Sequence, residues 1–177
     1  MRTEEFWAIV DRARAGASQP AVVAQRAVDE LAARDPGEIV AWGRHLDKVM
    51  AASYAEDLWA AAYLINGGCS DDDYDHFRGW LVAHGRDVFA RAVRQPDSLA
   101  DLPAVRAAVD SGAEFAGQEV LAVAADAYRA ATGEDLPPGE PPGPRPSQDD
   151  FWDFDNEDEM HRRLPRLAAL FLEPPEE

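Results

Sequence analysis

A chain of 177 residues is long enough to bury its own core, and 46% hydrophobic residues with five tryptophans supply the material for one. Against 17 basic side chains stand 34 acidic ones, and the net charge of −17 repels nucleic-acid phosphates and anionic membrane surfaces. A lone cysteine excludes an intramolecular disulfide and every CxxC zinc or redox motif.

The first segment, MRTEEFWAIVDRARAG, turns acidic at once and lacks the apolar core of a signal peptide. No window approaches the ~18 uninterrupted apolar residues of a membrane span. Together with the free thiol, this predicts a cytoplasmic protein. Arg and Ala are abundant and Lys48 is the only lysine, a bias that points to a GC-rich bacterial genome.

Thr3 caps a predicted helix to about residue 15, with Phe6, Trp7, Ile9 and Val10 as its apolar stripe. A second helix opens at Ser18 and Pro20 and presents Val23, Ala27 and Leu31. Asp35-Pro36-Gly37-Glu38 is a helix start with a cap, a proline in the first turn and a glutamate three residues on, and it predicts a third helix to about residue 52. The run Asp57 to Ile65, DLWAAAYLI, is the most apolar in the chain. Its alanines and its Asn66-Gly67-Gly68 ending predict a central helix closed by a left-handed cap. Ser70-Asp71-Asp72-Asp73 starts the next helix, which ends at Gly85, and residues 86 to 94 continue helically. Pro96, Pro103 and Gly112 predict short pieces, and residues 114 to 131 a long amphipathic helix containing Phe115, Val120, Val123 and Tyr128. No alternating strand pattern competes anywhere.

Residues 134 to 148 carry six prolines and predict an extended linker. Beyond it, QDDFWDFDNEDEM sets three aromatics among seven acidic residues and leads into RRLPRLAALFL. Exposing Trp152, Leu164, Leu167, Leu170 and Phe171 together would be costly, so this tail is expected to fold back as a strap rather than to serve as a free arm. The predicted architecture is all-α: an irregular bundle of about seven helices over residues 1 to 133, the linker, and an acidic C-terminal strap.

The stretch 64 to 80, LINGGCSDDDYDHFRGW, is the densest in chemistry-bearing side chains. Asp71, Asp73 and Asp75 match the first three ligands of a calcium loop, but His76 stands where its glycine is required and Val82 where its glutamate belongs. Asp72 and His76, at i and i+4, share a helix face that His45 or Asp57 could join around a transition metal, without any HExxH or His-rich spacing. Cys69 beside a helix N-terminus has the position of an activated thiolate, with His45, His76 and His84 as candidate bases; its bland reading is a small side chain packed between helices. Gly67-Gly68 lacks the Lys-Ser/Thr of a phosphate loop. Asp57, Asn66, Arg78 and Arg86 read either as an internal network, such as Asp57 with Arg78 or Arg86, or as a pocket wall.

The order Asp57-Leu-Trp, Ala-Tyr-Leu-Ile-Asn-Gly-Gly-Cys-Ser-Asp-Asp, Phe-Arg-Gly-Trp-Leu and Gly85-Arg86, with Phe6-Trp7 and the helix from Glu38 to His45, resembles the bacterial domain-of-unknown-function family 4240 over roughly residues 1 to 132. The resemblance implies an α-helical bacterial cytoplasmic domain, sometimes joined to other modules, and supplies no activity. The functional expectation is therefore a non-enzymatic interaction or regulatory module with an acidic surface and a protein partner with a basic face, not a nucleic acid or a membrane. The alternative is an enzyme, or a small-molecule or metal binder, at the 64 to 80 junction, with His45, Asp57, Asn66, Cys69, Asp71, Asp72, His76, Arg78 and Arg86 as its candidates. The sequence holds no cofactor motif and no complete catalytic constellation.

Overall fold

The protein is described by a computed structural model that covers residues 1–139, 143–147 and 150–173. Among these residues it is all-α. The helices are α1 (Thr3–Ala13), α2 (Pro20–Ala32), α3 (Pro36–Ala52), α4 (Glu56–Asn66), α5 (Asp71–Ala83), α6 (Arg86–Arg94), a 3-10 turn (Pro96–Asp101), α7 (Pro103–Ser111), α8 (Gln118–Thr132), α9 (Glu157–Arg163) and α10 (Pro165–Phe171). The body thus carries eight α-helices against about seven expected, the addition being α7, where Pro103 and Gly112 predict only short pieces. The expectation of an extended linker falls partly on residues 140–142 and 148, which lie outside the described residues; residues 135–139 and 143–147 are neither helix nor strand.

Two packing centres organise the bundle. α8 lies against α2, α3 and α5, and its Val120, Val123, Ala124 and Ala127 are buried in the same core as Val23, Ala27 and Leu31 of α2. α4 is the most enclosed helix: Leu58, Trp59, Ala60, Ala61 and Ala62 are all 2% exposed or less, between α5, the 3-10 turn and α10. Three successive alanines let neighbours approach α4 on every side, which explains its all-round apolar sequence. Its end is a left-handed cap at Gly67, φ 68°, as the Asn-Gly-Gly ending predicts.

α8 begins at Gln118 rather than at residue 114, because residues 112–117 are spent closing a loop onto α5. Gly117 donates its N–H to the His76 carbonyl at 2.9 Å, and a side chain on Gly79 would meet the Gly117 carbonyl oxygen at 2.3 Å. The loop is pinned at its other end by Asn66, whose side chain accepts from the Phe115 N–H at 3.0 Å and donates to the Phe115 carbonyl at 3.1 Å.

The tail packs back on the body. Met160, Leu164, Leu167 and Ala168 are each 1% exposed or less, and burying each of the three larger ones is worth about 1.5–3 kcal/mol relative to exposure. Its basic residues do the docking. Arg145 approaches Asp71 at 3.6 Å and Asp75 at 3.5 Å, Arg163 reaches Asp57 at 3.2 Å, and Arg166 pairs with Asp101. Among the described residues no helix is long and apolar enough to cross a membrane.

Candidate functional site

The α4–α5 junction is built around Arg78, which is 1% exposed. It stands on α5 one turn after Tyr74, and its guanidinium lies 4.5 Å from the Tyr74 ring centre and 5.2 Å from that of Tyr54. It donates to the carbonyls of Met50 and Tyr74, to the Ser53 hydroxyl and to the Asp75 carboxylate. A fork of N–H groups in this position ties the end of α3 to the start of α5. Asp57 was one expected partner of Arg78; the pairing is instead Arg78 with Asp75, three residues away on the same helix. Asp57, in the first turn of α4, faces the tail and accepts from Arg163 at 3.2 Å and from the Trp152 indole at 3.3 Å.

The remaining candidates divide between structural duty and solvent. Asp71 accepts from the Tyr54 hydroxyl at 3.2 Å, and Asp73 closes a reciprocal cap with Ser70. The three alternating aspartates are held by Tyr54, Ser70 and Arg78 respectively; Asp71 and Asp75 also share Arg145, while Asp73 stays with its cap, so the three do not gather on one point. Asp72 and Arg86 are exposed. His76 is half-buried beside Asn66 and Phe115 on a small cleft of about 210 Å³. His45 lies away from the junction with its ring 4.9 Å from Phe6, and burial lowers its pKa. Among the described residues, no three His, Cys, Asp or Glu side chains gather to hold a metal.

At Cys69 the surroundings favour the bland reading over the activated thiolate. Its carbonyl accepts from the Trp59 indole at 2.9 Å and its thiol points back at the Ser70 carbonyl, 3.7 Å away. Burial, reinforced by the Asp73 carboxylate, pushes its pKa up to about 12, against the smaller opposing pull of Trp59 and Arg78. The helix N-terminus does not offset that loss of hydration, so the thiol is held neutral.

Over this junction the tail lays three half-buried aromatics. Trp59 stacks on Tyr74 at 4.7 Å, and Phe151 meets Trp59 edge-on at 5.8 Å. Phe154 approaches both Tyr63, at 5.7 Å, and Trp152, at 4.9 Å. An aromatic run therefore extends from the buried Arg78 to Arg163, whose guanidinium lies 5.1 Å from the Trp152 ring centre. It borders an open pocket of about 350 Å³ lined by Trp59, Tyr63, Cys69, Phe151, Trp152 and Phe154, with Asp153 and Asp155 at its exposed edge. Asp155 accepts from the Tyr63 hydroxyl, and this bond, with burial and the nearby carboxylate charges, raises the Tyr63 pKa. A larger cleft of about 440 Å³ adjoins it, between the end of α4, α7 and the last turn of α10.

The sequence reading missed Tyr54, Trp59, Tyr63 and Arg145 as members of this site. The available signal was composition: aromatics interleaved with acids in the tail need an aromatic surface on the body, and α4 is the helix that carries one.

No curated protein and no solved structure matches the chain. A family model described as protein of unknown function (DUF4240) matches residues 1–130, from α1 to near the end of α8. By that match, which spans well over half of its length, the chain belongs to the DUF4240 family.

Proposed function

We propose that this protein is a non-enzymatic interaction module whose partner is a protein with a basic face. The observation that carries the reading is the partition of charge in the tail. Arg145 of the linker and Arg163 and Arg166 of the tail pair with Asp71, Asp75, Asp57 and Asp101, while Asp150, Asp153, Asp155, Glu157 and Asp158 are exposed. Docking the tail by its cations leaves its carboxylates exposed, and exposed carboxylates in excess steer and select a basic partner. The same field disfavours nucleic acid and anionic membranes. At the junction, Cys69 is held neutral and Arg78 and the three aspartates are engaged in internal contacts, which supports a structural role for residues 64 to 80. The small-molecule alternative shifts from those residues to the aromatic pocket above them.

The test is gentle purification from the protein's own cells followed by native mass spectrometry, with a triple variant Asp150→Lys, Glu157→Lys, Asp158→Lys alongside. The expected result is a stoichiometric basic protein, retained at low salt, released at high salt and lost with the triple variant. A partner retained equally by the variant, or a small-molecule adduct in place of any protein, would overturn the reading.

A further inference from the structure

The pocket between α4 and the tail has the chemistry of a cation cage. Five ring systems, those of Trp59, Tyr63, Phe151, Trp152 and Phe154, line an open pocket of about 350 Å³, and two carboxylates, Asp153 and Asp155, stand at its exposed edge. Aromatic faces carry negative potential, so rings converging from several directions favour a positive group that has shed most of its water, above all an alkylated ammonium.

The surroundings repeat the same interaction. Arg78 lies against Tyr54 and Tyr74, Arg145 against Tyr54, and Arg163 against Trp152. In each case the guanidinium also finds a carboxylate: Asp75 for Arg78, Asp71 and Asp75 for Arg145, and Asp57 and Glu159 for Arg163. Ring plus carboxylate is thus how this region holds a positive charge. The pocket presents the same pair of elements, with no arginine among its lining residues. Its depth is fixed on one side by the buried Trp59, 2% exposed, and its wall is braced by the Tyr63–Asp155 bond across to the tail.

We propose that this pocket binds an alkylated ammonium head group, supplied either by a free quaternary amine or by a methylated lysine of a basic protein. The second source rests on the interaction reading above; the pocket itself does not. The polar edge at Asp153 and Asp155 leaves the tether of the head group directed to solvent, which suits both sources.

The full-length chain is titrated with choline chloride, with 3,3-dimethyl-1-butanol as a neutral probe of the same shape, and with a capped Gly-Lys-Gly peptide carrying or lacking a trimethylated lysine. Tryptophan fluorescence from Trp59 and Trp152 and isothermal calorimetry provide the readouts. Choline is expected to bind saturably, and the neutral probe about tenfold or more weaker. Asp155→Asn and Phe154→Leu, which remove a charge and a ring while keeping size, are each expected to weaken choline about fivefold without loss of the folded state. Tighter binding of the methylated peptide than of choline identifies a protein-borne head group; the reverse order identifies a free amine. Equal binding of the neutral probe, or no saturation by any cation up to about 50 mM, overturns the proposal. Cation binding without any protein partner would sustain the pocket and remove the interaction reading, whereas a partner captured by a protein that binds no cation would do the opposite.

Discussion

The carboxylate of Asp97 caps α10 from another element: it accepts from the Leu167 N–H at 2.9 Å and from the Arg166 N–H at 3.0 and 3.2 Å. α10 opens with Pro165, preceded by Leu164, whose side chain has no oxygen to offer. The free donors of its first turn must therefore be met from outside, and Asp97 in the 3-10 turn, 9% exposed, meets them. Asp97→Ala is expected to cost about 1–2 kcal/mol and to speed amide exchange at Leu167. Asp97→Asn keeps an acceptor and should cost about half as much. Chemical denaturation and exchange rates check both, and an Asp97→Ala variant with unchanged exchange at Leu167 would remove the cap from the account.

Arg78 is the group whose loss the fold tolerates least. Its guanidinium contacts two rings and meets the carbonyls of Met50 on α3 and Tyr74 on α5, so Arg78→Lys, with one compact ammonium, cannot reproduce the fork. We expect Arg78→Ala to cost about 3–5 kcal/mol, and Arg78→Lys at least about 1.5 kcal/mol. Asp75→Asn should be costly in the wild type, where it leaves a buried cation short of a partner, and nearly silent in an Arg78→Met background. A double-mutant cycle by denaturation should give a coupling of at least about 1 kcal/mol; additive costs would show that the pair is not coupled.

Two glycines in helices should respond with opposite sign to the same substitution. Gly79 faces the Gly117 carbonyl oxygen so closely that an added Cβ would lie 2.3 Å from it, and backbone cannot swing aside as a side chain can. Gly37, in the first turn of α3, has nothing within 4 Å of the same position. Gly79→Ala is expected to cost about 2 kcal/mol or more by forcing α5 from the loop before α8. Gly37→Ala is expected to gain about 0.5–1 kcal/mol, from helix propensity and a less flexible unfolded chain. Thermal melts of the two variants would separate the cases.

What the sequence made legible was local. Apolar periodicity and the Asn-Gly-Gly and Ser-Asp-Asp-Asp signals place α4 and α5 correctly, because caps and periodicity are decided within a few residues. The start of α8 lies later than periodicity predicts because residues 112–117 are held out of the helix by Asn66, 49 residues before its partner Phe115, and by Gly79, far upstream of Gly117. The network at Arg78 was visible as a group of polar residues but not as pairs. Which of Asp57, Asp71 and Asp75 it takes depends on where the tail's arginines land, and that is settled by Arg145 and Arg163 more than 65 residues downstream. The aromatic pocket was legible only in halves, as aromatics on an apolar helix and aromatics in an acidic tail. Periodicity carries no information about two segments meeting.

Cys69 provides a prediction in which the sign is open to direct test. An ordinary thiol ionises near 9, while burial holds this one near 12 in the folded state. Between those values the unfolded chain releases a proton that the folded chain keeps, so the folded state binds more protons and raising the pH favours unfolding. The contribution is fully present below pH 9 and is lost progressively as the pH rises toward 12. Tyr74, whose pKa is also raised by burial, acts in the same direction, so the contrast with Cys69→Ser isolates the thiol. The urea midpoint of the wild type should fall more steeply from pH 8.5 to 10.5 than that of the variant, by the protons of one site. In the folded protein at pH 8, iodoacetamide should modify Cys69 about 100-fold or more slowly than a free cysteine. Rapid alkylation with parallel pH slopes would instead mean an ionisable, accessible thiol, and would return Cys69 to the list of candidate nucleophiles.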